Sequence, residues 1–265
     1  MTFGWRVFGL GVMAMGLVNL AWGNFDGDQP VPKAFPDRLA LAYAAAALLV
    51  VAGAAVEWRR IAAWGAGALT AYFAVVVALL MNGRVLLAHP AEYGAYDGLA
   101  EPLAIAAGGL IVFADNARIG GARAARLARV GRMAFGVCAV LFGGAHFFYM
   151  NLTAPLVPAW LPPSQLFWGY ATGIAHIAAG VAILTGVRAR LAAILLTVMY
   201  AAFTPLVHVP QLLANPASYF NWTENALNLA LVGAAWVVAD SLGRPKNVSV
   251  ERAPAAGGDA SLPAD

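Results

Sequence analysis

Three histidines inside long apolar segments are the residues of this chain best suited to chemistry. His146, His176 and His208 each lie in a run of mostly hydrophobic residues. An ionisable side chain is costly to place in such a segment, so each histidine is a candidate functional residue. A neutral imidazole keeps one hydrogen-bond donor and one acceptor, which allow it to hold a ligand or to bridge two helices. Both interpretations stay open from the sequence.

Glycine spacing predicts the direction in which His176 points. Gly169, Gly173, His176 and Gly180 recur at intervals of four, three and four residues, which places them on one helix face. A glycine face lets a neighbouring helix approach closely. His176 is therefore predicted to lie in a helix–helix contact and not toward lipid. The same pattern applies to His146, and the two imidazoles are expected within reach of one ligand.

Further polar residues complete the candidate ligand site. Asn221, Glu224 or Asn225, and Asn228 recur at helical spacing and predict a polar stripe on the last apolar segment. Tyr170 supplies an aromatic hydroxyl close to His176 along the chain. No catalytic residue can be assigned. The predicted ligand-binding residues are His146, His176, His208, Glu224, Asn228 and Tyr170.

The identity of a ligand depends on which chemistry these residue types fit. Three histidines and a glutamate could bind a transition metal, but no HxxxH or HxH spacing supports this, so no metal site is predicted. No sequence signal selects haem. A quinone needs hydrogen-bonding groups, aromatic walls and access from lipid, and this region supplies them. The residues define no cofactor with certainty and allow quinone as one candidate, because aromatic residues at this depth are also typical of an interfacial belt.

Composition indicates a multi-pass membrane protein. Of the 265 residues, 62% are hydrophobic and 11% are charged, whereas soluble domains carry about 25% charged residues. The mean hydropathy is +0.72. The lipid bilayer is thus the predicted partner, and nucleic acid is not, because the placement of the arginines explains the net charge of +3. Cys138 is the single cysteine, so an internal disulfide is excluded.

The elements that must position the histidines are eight transmembrane helices. A spanning helix needs about 20 mostly apolar residues. The sequence predicts an all-α polytopic membrane bundle, with spans near 5–23, 38–57, 61–82, 98–115, 133–151, 165–187, 190–212 and 222–241.

The distribution of positive charge predicts the orientation of these spans. Thirteen of the sixteen lysines and arginines fall on one side of the predicted topology, and only Lys33, Arg38 and Arg84 fall on the other. Positive residues stay in the cytoplasm, so both termini are predicted to be cytoplasmic. The Ala- and Arg-rich composition favours a bacterial inner membrane. An alternative, a first span cleaved as a signal peptide, is disfavoured by the internal repeat.

The chain contains two copies of a four-helix unit. FGLGVMAMGLVNLAW (8–22) aligns with FGVCAVLFGGAHFFY (135–149), and LLAHPAEYGAY (86–96) aligns with LLANPASYFNW (212–222). An even number of spans gives both copies the same direction, so the repeats are predicted to be parallel. His176 corresponds to Leu49, and Glu101 is taken as the near-equivalent of Glu224. Polar groups are thus expected to concentrate in the second repeat.

The repeat defines the predicted domain boundaries. Repeat one covers residues 1–117 and repeat two covers 133–243, joined by a basic cytoplasmic linker over 118–132 and followed by a disordered tail over 244–265. The arginines of the linker could form an amphipathic helix on anionic headgroups. The alternative, which the sequence favours, is a signal that retains this segment in the cytoplasm.

These motifs together resemble the DoxX family. They are a first helix ending in GxxH or GxxN, a VPxWLP loop, a third helix ending in His-x-Pro and an NPxxYxxW loop. The chain looks like a duplicated, eight-helix form of these four-helix bacterial membrane proteins. The resemblance covers residues from about 5 to 241. Some relatives, of the DoxD type, are linked to thiosulfate oxidation with quinone as the electron acceptor, so the resemblance implies a redox-linked role.

Three functions compete at this stage. The first is a redox-linked accessory protein that binds quinone or another small lipophile, with a membrane redox partner or an oligomer as its context. The second is a non-enzymatic scaffold or assembly subunit, favoured by the lack of a complete catalytic motif. The third is a small-solute transporter, which parallel repeats fit. The sequence shows no broken helix pair at matching positions and therefore disfavours transport.

Overall fold

Eight long apolar helices make up the part of the protein that the structure describes. The computed structural model describes residues 3–243, which form helices and their connections without any strand. Each helix is long and apolar enough to cross a membrane, as predicted, so this is a multi-pass membrane protein. The helices are α1 (Gly4–Trp22), α2 (Arg38–Glu57), α3 (Ala62–Ala88), α4 (Tyr93–Asn116), α5 (Gly121–Phe148), α6 (Gln165–Thr185), α7 (Ala189–Ala214) and α8 (Tyr219–Leu242).

The basic linker differs from its prediction. Helix α5 begins at Gly121, so most of 118–132 is the first part of a 28-residue helix and not a separate segment. Alanine and arginine are both strong helix formers, which explains why the helix continues through this charged stretch. The predicted tail over 244–265 lies outside the described residues.

The two ends of the bundle differ in their connections. We call the end that holds 23–37, 89–92, 149–164 and 215–218 the proline end, because each of these connections contains proline. The other end, with 58–61, 117–120 and 186–188, is the arginine end. Large side chains on the sides of the bundle, among them Val51, Trp64 and Val198, are exposed. In a membrane protein such a surface contacts lipid.

The packing of the helices follows the internal repeat of the sequence. Helix α1 packs on α2 and on α8, and correspondingly α5 packs on α6 and on α4. Helices α4 and α8 also contact each other, and 67% of the apolar stretch of α8 is buried against 17% of that of α7. A Cβ added to Gly108 of α4 would lie 2.9 Å from the Cβ of Ala234 of α8. These equivalent positions meet at the centre, so each repeat is completed by the last helix of the other.

Helices α3 and α7 each contain a π-helical segment at a matching position. The segments are Tyr72–Asn82 and Thr204–His208. Both helices continue through these segments, so neither is broken, but each has an irregularity that the sequence did not indicate. A π segment shifts the register of the helix and often marks a functional site. In α7 this segment places His208 and its neighbours beside the candidate site.

The close contact between α1 and α8 yields a stability prediction. A Cβ at Gly233 would collide with the backbone of Phe8, and a backbone cannot move aside as a flexible side chain can. We expect Gly233→Ala to lower the free energy of unfolding by about 1–3 kcal/mol. Thermal unfolding in detergent measures the change.

The matched control is Gly83→Ala, because a Cβ there would lie 3.5 Å from its nearest neighbour, the carbonyl oxygen of Ala78. Equal melting temperatures for the two variants would contradict the proposed packing.

Candidate functional site

The predicted histidines meet at one cavity near the proline end. This cavity has a volume of about 410 Å³ and lies among α4, α5, α6, α7, α8 and the connection after α5. Apolar side chains also line it, Phe142, Phe203 and Leu231 among them. Its polar lining residues are Asp97, Glu101, His146, Tyr149, Thr153, Thr172, His176, Tyr200, His208, Glu224 and Asn228. Volume and lining are typical of a small-molecule site.

His146 and His176 form a pair within the cavity wall. Their ring centroids are 4.9 Å apart. The Nδ1 atom of His146 lies 2.9 Å from the carbonyl oxygen of Phe142, and that of His176 lies 2.8 Å from the carbonyl oxygen of Thr172. A carbonyl can only accept, so both Nδ1 atoms must carry a proton. In a neutral imidazole this leaves each Nε2 as an acceptor, and neither Nε2 is hydrogen-bonded within residues 3–243.

Tyr200 of α7 adds a hydroxyl without a partner. Its ring lies 5.4 Å from that of His176, and the side chain is only 3% exposed. Within the described part of the chain, the buried hydroxyl has no hydrogen bond. An unsatisfied buried polar group costs about 1–3 kcal/mol. A ligand in the cavity that bonds this hydroxyl would remove that cost.

Carboxyl groups from both repeats complete the polar wall. Asp97 and Glu101 lie one turn apart on α4, and Glu224 lies on α8. Each is half-buried because it faces the cavity. A buried carboxyl oxygen of Asp97 has no hydrogen bond among residues 3–243. The cavity is therefore shared between the repeats and is not a property of repeat two alone.

Three asparagines of α8 form hydrogen bonds to α7 in and around its π segment. Asn221 and Asn225 donate to the carbonyl oxygens of Gln211 and His208, each at 2.9 Å. Asn228 donates to the hydroxyl of Thr204 at 2.8 Å and to the carbonyl of Tyr200 at 3.1 Å. The predicted polar stripe thus donates hydrogen bonds to carbonyl groups of an irregular helical segment. Inside a membrane such carbonyl groups need a protein partner, because lipid offers none. These contacts fix Tyr200 and His208 in the cavity wall.

An acidic connection from repeat one lies beside this wall. Asp26 is only 7% exposed and accepts hydrogen bonds from Asn19 at 3.0 Å and Gln29 at 2.8 Å. Burial, together with the nearby Asp28 carboxyl, raises the pKa of Asp26 to about 7, while the hydrogen bonds oppose the rise. Burial also raises the pKa of Asp28, whose side chain lies within hydrogen-bonding reach of Glu101. The acidic connection is thereby joined to the cavity wall.

The structure gathers five of the six predicted ligand residues and separates one. His146, His176, His208, Glu224 and Asn228 all line the cavity. Tyr170 does not. Its side chain is 45% exposed and packs on Phe147, on the face of α6 that also exposes Phe167 and Ile174. We therefore remove Tyr170 from the candidate site.

Glu101 and Glu224 occupy neighbouring and not identical positions of their repeats. Tyr96 donates to the carbonyl of Pro90, and Trp222 makes the same bond to Pro216, so α4 and α8 align at an offset of 126 residues. At that offset Glu224 corresponds to Gly98. The acidic groups of the two repeats therefore occupy different positions, and together they give the cavity more carboxyl groups than either repeat supplies alone.

Sequence reasoning missed Asp26, Asp28, Asp97 and Tyr200. The spacing of Asp97 and Glu101, four residues apart, was a usable signal because it places both on one helix face. It was missed because the predicted span began at residue 98. Asp26 and Asp28 belong to a connection, and a short acidic connection is ordinarily solvated.

The arrangement of the described side chains also indicates whether they could bind a metal ion. No three histidine, cysteine, aspartate or glutamate side chains within residues 3–243 are grouped so that they could hold a metal ion. The cavity can instead present acceptors at His146 and His176, a hydroxyl at Tyr200, and carboxyl groups. This set suits a ligand that carries hydroxyl donors on an apolar ring.

Comparison with known proteins adds a single family. The model for a domain of unknown function (DUF8561) matches residues 135–239, within the second repeat. No curated protein and no solved structure matches the chain. The matching family bears no DoxX name, so the resemblance to that family stays a prediction.

Proposed function

We propose that this protein binds a reduced quinone, or another small lipophile with phenolic hydroxyls, inside the membrane. The observation that carries the proposal is the pairing of two acceptor Nε2 atoms and an unpartnered Tyr200 hydroxyl in one cavity of about 410 Å³. A hydroquinone has hydroxyl groups to donate to the imidazoles and an apolar ring to fill the space between Phe142 and Phe203. Quinone in its oxidised form offers only acceptors and fits this wall less well.

The proposed biological role is that of a redox-linked accessory subunit. The carboxyl groups beside the imidazoles suit a ligand that gains or loses protons when its redox state changes. A membrane redox partner, or a second copy of this chain, would supply or remove the electrons. The DoxX resemblance supports a redox-linked role independently of the cavity.

A matched pair of ligands tests the proposal. We expect short-chain ubiquinol to bind purified protein in detergent, and its di-O-methyl ether to bind about tenfold more weakly or worse, because the ether has lost both donors. Titration calorimetry under anaerobic conditions measures both affinities. Tyr170→Phe serves as the protein control and should leave both unchanged.

Equal affinities for ubiquinol and its ether would overturn the hydroxyl-recognition proposal. Failure of both to bind would overturn the assignment of the cavity to this ligand class.

We further propose that the protein lies in a bacterial inner membrane with both termini in the cytoplasm. The support is the excess of lysine and arginine at the arginine end. In a Cys138→Ser background, single cysteines introduced at Gly27 and Gly121 report the two ends, because a Cβ at either meets no neighbour within 4 Å. A membrane-impermeant maleimide added to whole cells should label position 27 only. Labelling at position 121 alone would reverse the orientation.

A further inference from the structure

In the connection between α1 and α2, two carboxyl groups point toward the interior of the protein. A Cβ at Gly27 would meet no atom within 4 Å, so this glycine lies at the surface of the proline end. Asp26 on one side of it is buried, and Asp28 on the other side reaches Glu101 of α4. Asn82 of α3 holds the connection in place by donating to the backbone carbonyl of Asp28 at 2.7 Å.

We propose that a line of carboxyl groups transfers protons between the surface at Gly27 and the cavity. Asp26 and Asp28 interact electrostatically, Asp28 is within hydrogen-bonding reach of Glu101, and Glu101 interacts with both Asp97 and Glu224 in the cavity wall. The path deepens the proposed function, since a hydroquinone must exchange protons when its redox state changes. Its test needs no ligand, so the two proposals can fail separately.

Geometry also places Asp28 beside the part of α4 that carries Glu101. Asn82 donates to the backbone carbonyl of Asp28 at 2.7 Å, and its own Oδ1 atom lies 3.4 Å from the position of a Cβ added to Gly98, one turn of α4 before Glu101. Two neighbouring carboxyl groups repel each other when both are ionised, which favours a proton on one of them. A shared proton between two oxygens is the arrangement from which transfer proceeds, because either oxygen can hold it. This contact joins the surface connection to the cavity wall.

The carboxyl groups of the path lack a paired lysine or arginine within the described residues. Within residues 3–243, no lysine or arginine forms an ion pair with a carboxyl group of the path, whereas His89 and Glu92 pair outside it. An isolated carboxylate is costly in a low-dielectric interior unless it is paired or protonated. A proton on a carboxyl group of this path removes that cost without a cation.

An unpartnered oxygen gives independent support. The Oδ1 atom of Asp26 is buried and has no hydrogen-bond partner within the described chain, although the other oxygen of the same carboxyl accepts two bonds. Asp97 at the cavity end has a free buried oxygen of the same kind. Each free oxygen can take a proton, one near the surface and one at the cavity.

The groups that face the path come from every helix packed around it. Tyr72 of α3 and Tyr219 of α8 face Asp26, and the Arg38 guanidinium of α2 interacts with Tyr219. Glu224 of α8 also faces both acidic residues of the connection. At the cavity end, Tyr200 of α7 interacts with Asp97 and Glu101. The histidines of the cavity wall, His146, His176 and His208, lie beyond that point.

Infrared spectroscopy of the full chain in lipid nanodiscs tests the path. We expect wild-type protein at neutral pH to show the C=O band of protonated carboxyl groups, and this band should shift quickly in D₂O because the protons exchange through Asp28. In Asp28→Asn the amide cannot titrate, so the quickly exchanging component should be lost. The matched control is Glu92→Gln, which removes an exposed acid at the same end and should leave the band unchanged.

Three outcomes would overturn the proposal. One is wild-type protein without any protonated carboxyl band at neutral pH, which needs no variant and therefore holds even if Asp28→Asn fails to fold. Another is unchanged exchange in a folded Asp28→Asn variant. The third is loss of the wild-type band on adding Ca²⁺ or Na⁺, which would assign the carboxyl groups to a cation.

Discussion

Tyr200→Phe is expected to stabilise the ligand-free protein while it weakens ligand binding. The substitution removes a buried hydroxyl that has no partner, so the free energy of unfolding should rise by about 1–3 kcal/mol. Repeat one shows that the shape is acceptable, because Phe73 occupies the corresponding position and is fully buried. Ubiquinol affinity should fall about three- to tenfold through the loss of one hydrogen bond. Thermal unfolding and calorimetry measure the two effects.

Tyr72→Phe is the matched control and should have the opposite effect on stability. Tyr72 is the tyrosine of α3 whose hydroxyl donates to Gln29. Removing that donor leaves a buried amide oxygen without this bond, so the variant should be less stable than the wild type. Its ubiquinol affinity should not change. If both variants lose stability to the same degree, the Tyr200 hydroxyl has a structural partner and is not held free for a ligand.

The protein is expected to lose stability as pH rises from about 4 to 7, in part through Asp26. Because the pKa of Asp26 is raised to about 7 from 3.8, the folded state holds a proton that the unfolded state has released in this window. Stability therefore falls as pH rises through the window and levels off above it. The contribution of Asp26 is at most about 4 kcal/mol, since each pKa unit corresponds to about 1.4 kcal/mol.

Asp26→Asn isolates this contribution, because an amide does not titrate. As pH rises from 5 to 7.5, the free energy of unfolding of the wild type should fall relative to that of the variant. Asp37→Asn, at an exposed position of the same connection, should follow the wild type at every pH. Parallel curves for wild type and Asp26→Asn would show that Asp26 has an ordinary pKa.

Hydropathy and charge allowed the architecture to be predicted because both act locally. Each span is long enough to be recognised by itself, and the glycine face of α6 correctly placed His176 inside the bundle at 2% exposure. The start of α5 was misjudged because the predicted span was limited to the apolar residues and excluded the arginine-rich segment before them. Arginine is in fact compatible with a helix that extends beyond the membrane.

The carboxyl side of the site could not be predicted because it depends on long-range packing. Asp26 and Asp28 are buried only because α3 and α8 hold their connection, through Asn82 on one side and a bond from Tyr219 to Asn19 on the other. Nothing in the sequence near residue 26 indicates such partners, and the bond from Tyr219 to Asn19 alone joins residues 200 positions apart. The shared origin of the cavity, with acids from repeat one and histidines from repeat two, likewise appears only when the helices are assembled.

The central claim is that His146 and His176 receive ligand hydroxyls at Nε2, and ¹⁵N NMR tests it most directly. The chain has four histidines, so uniform ¹⁵N-histidine labelling gives a spectrum simple enough to assign with single variants. On titration with short-chain ubiquinol, the Nε2 resonances of His146 and His176 should shift and saturate, while those of the exposed His89 stay fixed. Saturating ubiquinol that leaves both cavity histidines unmoved would contradict the account.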